Sequence, residues 1–134
     1  MKSDKKICVI GGGNWGKNHI NTLNKLGFLG GIVDSSELLI NSYKSSYPSC
    51  EYFSDIEDSF NSSFDGYIIS TPPATHYEIA KKIISKGKPV LVEKPFTLNL
   101  EDAEDLNKYA KINRVNIYVG HLLLFHPAYL KIKE

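Results

Sequence analysis

The sequence predicts an α/β protein whose core is a doubly wound parallel β-sheet. Six short apolar segments alternate along the 134 residues with segments in which apolar residues recur at helical spacing. The first apolar segment runs directly into a glycine-rich turn, and a helical pattern follows that turn at once. Because this alternation occupies essentially the whole chain without internal repeats, we expect a single sheet with helices on both faces.

Each predicted strand is a short apolar segment that ends at a glycine, a proline or a polar residue. The first strand ends at Gly11, and the fourth ends just before two prolines, which cannot continue a strand. The predicted strands cover residues 6–10, 28–33, 51–53, 65–70, 89–92 and 115–119.

The first predicted helix covers about residues 14–26 and ends at Gly27, a common stop signal. Its apolar residues are expected to face the sheet. They are Ile20, Leu23 and Leu26.

The later helices have start signals of their own. A short acidic helix is predicted over residues 54–60. Thr75 and Glu78 have the spacing of a capping box at the start of a helix that ends near Gly87. Asn99 is predicted to cap the helix that precedes the sixth strand.

Three glycines after the first strand match the G-x-G-x-x-G pattern of a dinucleotide-binding turn. Gly11 allows a sharp turn, Gly13 allows backbone N–H groups to approach a pyrophosphate, and Gly16 allows the helix to pack closely on the strand. The positive end of the helix dipole also favours phosphate. One alternative is a purely structural turn. Another is a Walker A phosphate loop, which is disfavoured because Asn18 replaces the Ser or Thr that would hold magnesium.

Asp34 ends the second predicted strand. It follows the glycine turn at close to the roughly 20-residue offset of a ribose-binding carboxylate in dinucleotide-binding folds. A carboxylate there would repel a 2′-phosphate, which favours NAD over NADP. The alternative role is that of a helix N-cap, because Ser35, Ser36 and an apolar helix follow.

Two further strands bring polar residues to the carboxyl edge of the sheet, where ligands of open α/β sheets bind. The fourth strand is followed by Thr71 and Pro72, and His76 falls in the first turn of the next helix. A solvent-facing imidazole there requires no function, and a contact with cofactor or substrate is the alternative. The fifth strand, predicted near the middle of the sheet, ends at Glu93 and Lys94.

Lys94 is the candidate acid/base. Hydride transfer from a secondary alcohol requires a group that takes the hydroxyl proton. Partial burial and the positive charge of a nicotinamide ring would favour the neutral amine that accepts this proton. The alternative is an ordinary surface lysine at a strand end. The bond from Lys94 to Pro95 can be cis or trans.

The overall composition argues against several other classes of protein. A net charge of +1 does not suggest a polyanionic partner such as nucleic acid. No segment has the length and hydropathy of a membrane span or of a signal peptide. Cys8 and Cys50 lack metal-ligand spacing, so we expect free thiols in a reducing cytoplasm and no metal site.

Three motifs, in this order and spacing, resemble the N-terminal domain of the Gfo/Idh/MocA oxidoreductases, the glucose-fructose oxidoreductase and inositol dehydrogenase family. They are Gly-Gly-Gly-Asn-Trp-Gly-Lys-Asn-His at residues 11–19, Ser-Thr-Pro-Pro-Ala-Thr-His at residues 70–76 and Val-Glu-Lys-Pro-Phe at residues 92–96. The Glu-Lys-Pro element is the most specific of them. Residues 119–128 are also similar to the branch of 3-dehydrogenases that act on UDP-N-acetylglucosamine-derived uronic acids.

This resemblance implies a Rossmann dinucleotide-binding fold, NAD as cofactor, a sugar or sugar-nucleotide substrate, a homo-oligomer, and Lys94 as the acid/base. It also implies which residues hold NAD. The pyrophosphate is assigned to Gly11, Gly13, Asn14, Trp15 and Gly16, the adenosine ribose to Asp34, and the surroundings of the nicotinamide half to Thr71, Pro72, His76 and Glu93.

Members of this family continue into a second α/β domain that carries the substrate pocket and an Asp-x-x-x-His element, a pattern that the end of this chain lacks. We therefore expect a Rossmann domain over residues 1–120, and over residues 121–134 the start of the crossover to a missing substrate domain. An apolar surface there would favour self-association. Two functions stay open: the cofactor domain of an NAD-dependent sugar or sugar-nucleotide oxidoreductase, and a stand-alone NAD-binding module or truncated remnant without turnover.

Overall fold

The computed structural model describes residues 4–133, which form a six-stranded sheet in which all neighbouring strands are parallel. The strand order β3-β2-β1-β4-β5-β6 confirms the doubly wound α/β fold, with its switch point between β1 and β4. Residues 1–3 of the predicted Rossmann domain (1–120) and residue 134 of the predicted crossover segment (121–134) lie outside the described residues. The strands are β1 (Ile7–Ile10), β2 (Leu29–Val33), β3 (Glu51–Phe53), β4 (Gly66–Ile69), β5 (Val90–Val92) and β6 (Ile117–Val119).

Helices connect these strands and follow the last of them. None of the helices between residues 4 and 133 is long and apolar enough to cross a membrane. Short 3₁₀ turns at Pro73–Thr75 and Leu122–Phe125 precede the fourth and sixth helices. The helices are α1 (Asn14–Leu26), α2 (Glu37–Lys44), α3 (Ile56–Ser59), α4 (His76–Ser85), α5 (Leu100–Asn113) and α6 (Pro127–Lys133).

The core lies on both faces of the sheet. Successive side chains of a strand point to opposite faces, so Cys8 and Val9 belong to different clusters. Cys8 packs in the cluster that includes Ile83 of α4 and Leu106 of α5, whereas Val9 packs with Ile20 of α1. Each face of β1 is therefore buried, as the apolar sequence of this strand requires.

The prediction that Leu26 faces the core is wrong, because this residue is 60% exposed. At about 100° per residue, six positions rotate Leu26 roughly 240° around the α1 axis from the buried Ile20. The stop signal after it is correct, since Gly27 has a φ of 79° at the end of α1.

The predicted capping box at Thr75 is wrong. Its hydroxyl does not cap α4 but donates to the carbonyl oxygen of Pro72 at 2.7 Å. The reason is the 3₁₀ turn at Pro73–Thr75, which leads directly into α4 and leaves no extended residue to act as a side-chain cap. By contrast, Asn99 caps α5 as predicted, accepting the N–H of Asp102 at 2.8 Å.

One further prediction is wrong. β5 lies second from the edge of the sheet rather than near its middle, because β6 pairs with its outer side. Beyond β6, α6 was not predicted, and it is exposed along its length.

Candidate cofactor-binding site

The glycine turn connects β1 to α1 at the switch point of the sheet. Gly11 has a φ of 87°, and a Cβ added there would lie 2.9 Å from the backbone of Ser70. A Cβ at Gly16 would overlap the carbonyl group of Gly11. Gly13 differs, because within residues 4–133 no heavy atom outside Gly13 and its two chain neighbours lies within 4 Å of its Cβ position. Gly11 and Gly16 are thus required by packing within the protein, whereas Gly13 leaves open space in front of the turn.

Three side chains from neighbouring elements hold this turn. The N–H of Gly12 donates to Oδ2 of Asp34 at 2.8 Å, and the Tyr43 hydroxyl donates to the carbonyl oxygen of Gly12 at 2.6 Å. The Ser70 hydroxyl donates to the carbonyl oxygen of Gly11 at 2.7 Å. No such role was predicted for Tyr43 or Ser70. Tyr43 falls at a buried helical position, which explains its apolar ring but does not indicate where its hydroxyl points.

Asp34 stands at the end of β2 and is not the N-cap of α2. Ser36 has that role, since its hydroxyl oxygen accepts the N–H of Leu39 at 3.3 Å. Oδ1 of Asp34 instead accepts the N–H of Ser36 at 2.8 Å. Each carboxylate oxygen can accept more than one hydrogen bond, so the half-buried Asp34 keeps capacity for ligand hydroxyl groups.

A groove of about 520 Å³ opens at the carboxyl edge of the sheet and crosses the switch point. Its size falls in the range of ordinary ligand sites. It brings together several residues predicted for the cofactor, and Lys82 and Asp55, which were not predicted, also line it. The predicted residues in the groove are Gly11, Gly13, Asp34, Thr71 and Pro72.

Asn14 and Trp15 lie at the start of α1 outside this groove. Asn14 borders a separate cavity of about 330 Å³ between the glycine turn and α2, which Lys17 and Ser42 also line. Trp15 is 49% exposed, and its ring centroid lies 5.7 Å from Nζ of Lys94. This distance is typical of a cation–π contact.

Lys94 follows β5 and is exposed rather than partly buried. The peptide bond between Lys94 and Pro95 is cis. Lys94 also borders an apolar cavity of about 380 Å³ formed by the segment after β6, with His121 and residues 122–124 as its other walls. Lys94 therefore stands between the start of α1 and this apolar cavity.

His76 is buried, with 1% of its surface exposed, rather than solvent-facing. Its Nδ1 lies 2.9 Å from the carbonyl oxygen of Pro95, and its Nε2 lies 2.8 Å from that of Thr71. Both partners are backbone carbonyl oxygens, which only accept hydrogen bonds. The buried ring therefore contacts the segment after β4 through Thr71 and the segment after β5 through Pro95.

Glu93 is also buried, and its nearest partners are protein groups. Its Oε1 lies 2.7 Å from Nε2 of His19 on α1, and its Oε2 accepts the N–H of Lys94 at 3.3 Å. His19 was not predicted as a site residue. It belongs to the first motif. A contact with Glu93 could not be predicted from the sequence, because the two residues are 74 positions apart.

The titratable residues in this region do not resemble a metal centre. Within residues 4–133, no group of three or more His, Cys, Asp or Glu side chains is arranged to hold a metal ion. The features that fit a ligand are instead those of a dinucleotide site: an open space at Gly13, a helix N-terminus behind it, and a carboxylate at the end of β2.

Comparison with known proteins finds dehydrogenases that are similar to this chain. UDP-N-acetylglucosamine 3-dehydrogenase from Acidithiobacillus ferrooxidans is 29% identical over 126 residues, which cover 94% of this chain and 40% of that protein. Inositol 2-dehydrogenase from Mycolicibacterium smegmatis is 29% identical over 136 residues, covering 98% and 39%. The structure of GenD2 from gentamicin A biosynthesis, solved in complex with NAD, matches with a TM-score of 0.81 at 25% identity, covering 90% of this chain and 35% of that one.

The chain thus spans about 40% of the length of these two curated relatives. The model of the oxidoreductase family with an NAD-binding Rossmann fold matches residues 5–121, a range that includes all six strands. The chain therefore belongs to the Gfo/Idh/MocA oxidoreductase family and contains its NAD-binding Rossmann fold.

Proposed function

We propose that this chain is the cofactor-binding part of an NAD-dependent oxidoreductase that moves hydride between nicotinamide and a secondary hydroxyl of a sugar or sugar nucleotide. One observation carries the proposal. The groove that joins the glycine turn to Asp34 and Thr71 lies at the same sheet edge as Lys94. The candidate dinucleotide site and the candidate acid/base therefore lie at the same edge of the sheet.

NAD would lie across the switch point. The N–H groups of Gly11 and Gly12 already donate to Val33 and Asp34, so the pyrophosphate would be bound by the N–H groups at the N-terminus of α1, beside the open space at Gly13. Asp34 would accept the adenosine ribose hydroxyls at the end of β2, and its charge would disfavour NADP. Thr71 and Pro72 would border the nicotinamide half, because they line the β4 side of the groove.

His76 and Glu93 would act on the nicotinamide half indirectly. Both are buried and engaged with protein groups, so they would shape its surroundings through the Thr71 and Lys94 segments rather than contact the ring. Trp15 and Asn14 would extend the cofactor contacts beyond the groove at the start of α1.

Lys94 would hold or accept the proton of the substrate hydroxyl at Nζ, while bound NAD supplies the hydride acceptor. The apolar cavity beside Lys94 leaves room for a second group to approach the same amine. Residues 121–134 would begin the crossover to a substrate domain. The substrate class is supported by the relatives named UDP-N-acetylglucosamine 3-dehydrogenase and inositol 2-dehydrogenase.

The second candidate function is an NAD-binding module without turnover. It is favoured by the exposure of Lys94 and of residues 121–133, since a catalytic site must orient its substrate and exclude water.

A turnover assay separates the two functions. The chain, joined to a substrate domain of the same family, is incubated with NAD and either UDP-N-acetylglucosamine or an inositol, and NADH formation is followed by absorbance. Oxidoreductase function predicts NADH formation that falls by about 100-fold or more in Lys94→Met, within the usual range for a general acid or base. Lys111→Met, which removes an exposed lysine of α5, is the matched control. NAD binding without NADH formation would favour the binding module instead.

A further inference from the structure

A largely buried pair of side chains, His19 and Glu93, connects the helix of the glycine turn to the strand end that carries Lys94. Nε2 of His19 lies 2.7 Å from Oε1 of Glu93, and the two side chains are 22% and 8% exposed. This distance is typical of a charge-assisted hydrogen bond from an imidazole N–H to a carboxylate. A carboxylate is costly to bury without such a partner, so the contact stabilises one arrangement of α1 against β5.

The remaining surroundings of Glu93 fix its carboxylate further. Its Oε2 accepts the backbone N–H of Lys94 at 3.3 Å. Gly120, just after β6, lies directly behind the carboxylate, and a Cβ added there would be 3.0 Å from Oε2. The carboxylate is thus held between α1, β6 and the backbone of the very residue that is the candidate acid/base.

A second contact joins the same two elements at the surface. Trp15 precedes His19 by four positions on α1, so the two side chains share one face of the helix. Lys94 directly follows Glu93, and its Nζ lies 5.7 Å from the Trp15 ring centroid. The largely buried His19–Glu93 pair and the exposed Trp15–Lys94 pair therefore join the same two elements, α1 and the end of β5.

We propose that His19 and Glu93 are positioning residues, which hold the end of β5 against α1 so that Nζ of Lys94 stays beside Trp15. The importance of this position for catalysis rests on the proposed function, but the contact itself does not. Because α1 also carries the predicted pyrophosphate contacts, the pair would keep the acid/base at a fixed distance from the cofactor phosphates.

Trp15 is the single tryptophan of the chain, so its fluorescence reports on the contact between α1 and the end of β5. Its fluorescence lifetime and emission maximum are measured in the intact chain and in Lys94→Met, which defines the signal without the ammonium group. His19→Leu removes the hydrogen-bond donor, whereas His19→Gln keeps one at a similar reach. Asp105→Asn is the matched control, since it breaks the exposed Lys81–Asp105 pair of 2.9 Å between α4 and α5.

The proposal predicts that His19→Leu moves the Trp15 signal most of the way to that of Lys94→Met. His19→Gln and Asp105→Asn should keep the original signal. If His19→Leu does not fold, Glu93→Gln provides the second test, because it preserves side-chain volume but not charge. Amide hydrogen exchange at Lys94 should then be about tenfold faster, as its N–H loses a charged acceptor.

Three results would overturn the proposal. The first is a folded His19→Leu variant with an unchanged Trp15 signal. The second is an equal change in His19→Gln and His19→Leu, since a retained donor would then make no difference. The third is a Trp15 signal that does not respond to Lys94→Met. None of these readouts uses NAD, so a failure to bind NAD would contradict the proposed function and leave this proposal standing.

Discussion

Oδ2 of Asp34 accepts the backbone N–H of Gly12 at 2.8 Å. The residue proposed to bind the adenosine ribose therefore also holds the turn proposed to bind the pyrophosphate. Its other oxygen accepts the N–H of Ser36, just before α2. A loss of the carboxylate is thus expected to affect two parts of a dinucleotide site at once, because one side chain orients both.

The two later glycines of the turn should respond differently to alanine. Gly13→Ala should fold normally, because its φ of −65° suits any residue and its Cβ position is open. The added methyl group would nevertheless occupy the space in front of the turn, so NAD affinity should fall by about tenfold or more. Gly16→Ala should be destabilised by roughly 1–3 kcal/mol, because its Cβ would overlap the Gly11 carbonyl.

Thermal unfolding and calorimetric titration with NAD check this pair of variants. A Gly13→Ala protein that binds NAD as well as the original would contradict the assignment of this space to the pyrophosphate.

Tyr43 should contribute to stability through its hydroxyl group. It donates to the carbonyl oxygen of Gly12 at 2.6 Å, and its ring is buried. Tyr43→Phe should lower the free energy of unfolding by about 1 kcal/mol, because the Gly12 carbonyl loses its partner. Denaturant unfolding measures the effect, with Tyr118→Phe as a control at a side chain that is 57% exposed. Equal stability of both variants would mean that the Tyr43 hydrogen bond adds nothing.

Asp65 should make the fold sensitive to acid. Its Oδ2 accepts the N–H of Lys6 at 2.8 Å, and this bond, with a smaller effect of the Lys5 and Lys88 charges, lowers the pKa of Asp65 below its ordinary 3.8. A carboxyl group with a depressed pKa in the folded state stabilises the fold above its unfolded pKa and loses this contribution as the pH falls through its folded pKa.

The melting temperature of the original chain should therefore exceed that of Asp65→Asn at neutral pH. The difference should shrink as the pH falls below 3.8. Thermal melts across this range measure it, and a difference that is independent of pH would exclude the carboxylate as its cause.

The segment after β6 should promote self-association. Its side chains include Leu123, Phe125 and Ile132, which are 73%, 79% and 85% exposed. Apolar groups concentrated in one segment favour contact between copies. Sedimentation velocity should show larger species as concentration rises, and the Leu123→Lys, Phe125→Lys double variant should reduce them. Leu38→Lys, at an 85% exposed leucine on α2, should not. A strictly monomeric chain at high concentration would refute this expectation.

Much of the fold could be predicted because periodicity and turn residues act locally. The strands, the end of α1 at Gly27 and the Asn99 cap each depend on neighbouring residues. Parallel strands also share one carboxyl edge, which is why Asp34 and Thr71 could be expected to line one groove.

Apart from the local errors at Leu26 and Thr75, the errors concern contacts between distant segments. Burial of His76 depends on the carbonyl oxygens of Thr71 and Pro95, and its position in a first helical turn could not indicate it. The His19–Glu93 pair likewise requires knowledge of how α1 crosses the end of β5. Side-chain direction at such junctions follows from packing, which residue spacing does not encode.

Cofactor binding is measured by a calorimetric titration of the intact chain with NAD and with NADP. We expect NAD to bind more tightly than NADP. Asp34→Ala should weaken NAD binding by roughly 10- to 100-fold, the range for lost hydrogen bonds to a charged group, and should remove the preference. A folded chain that binds neither cofactor, or that binds both equally, would contradict the account.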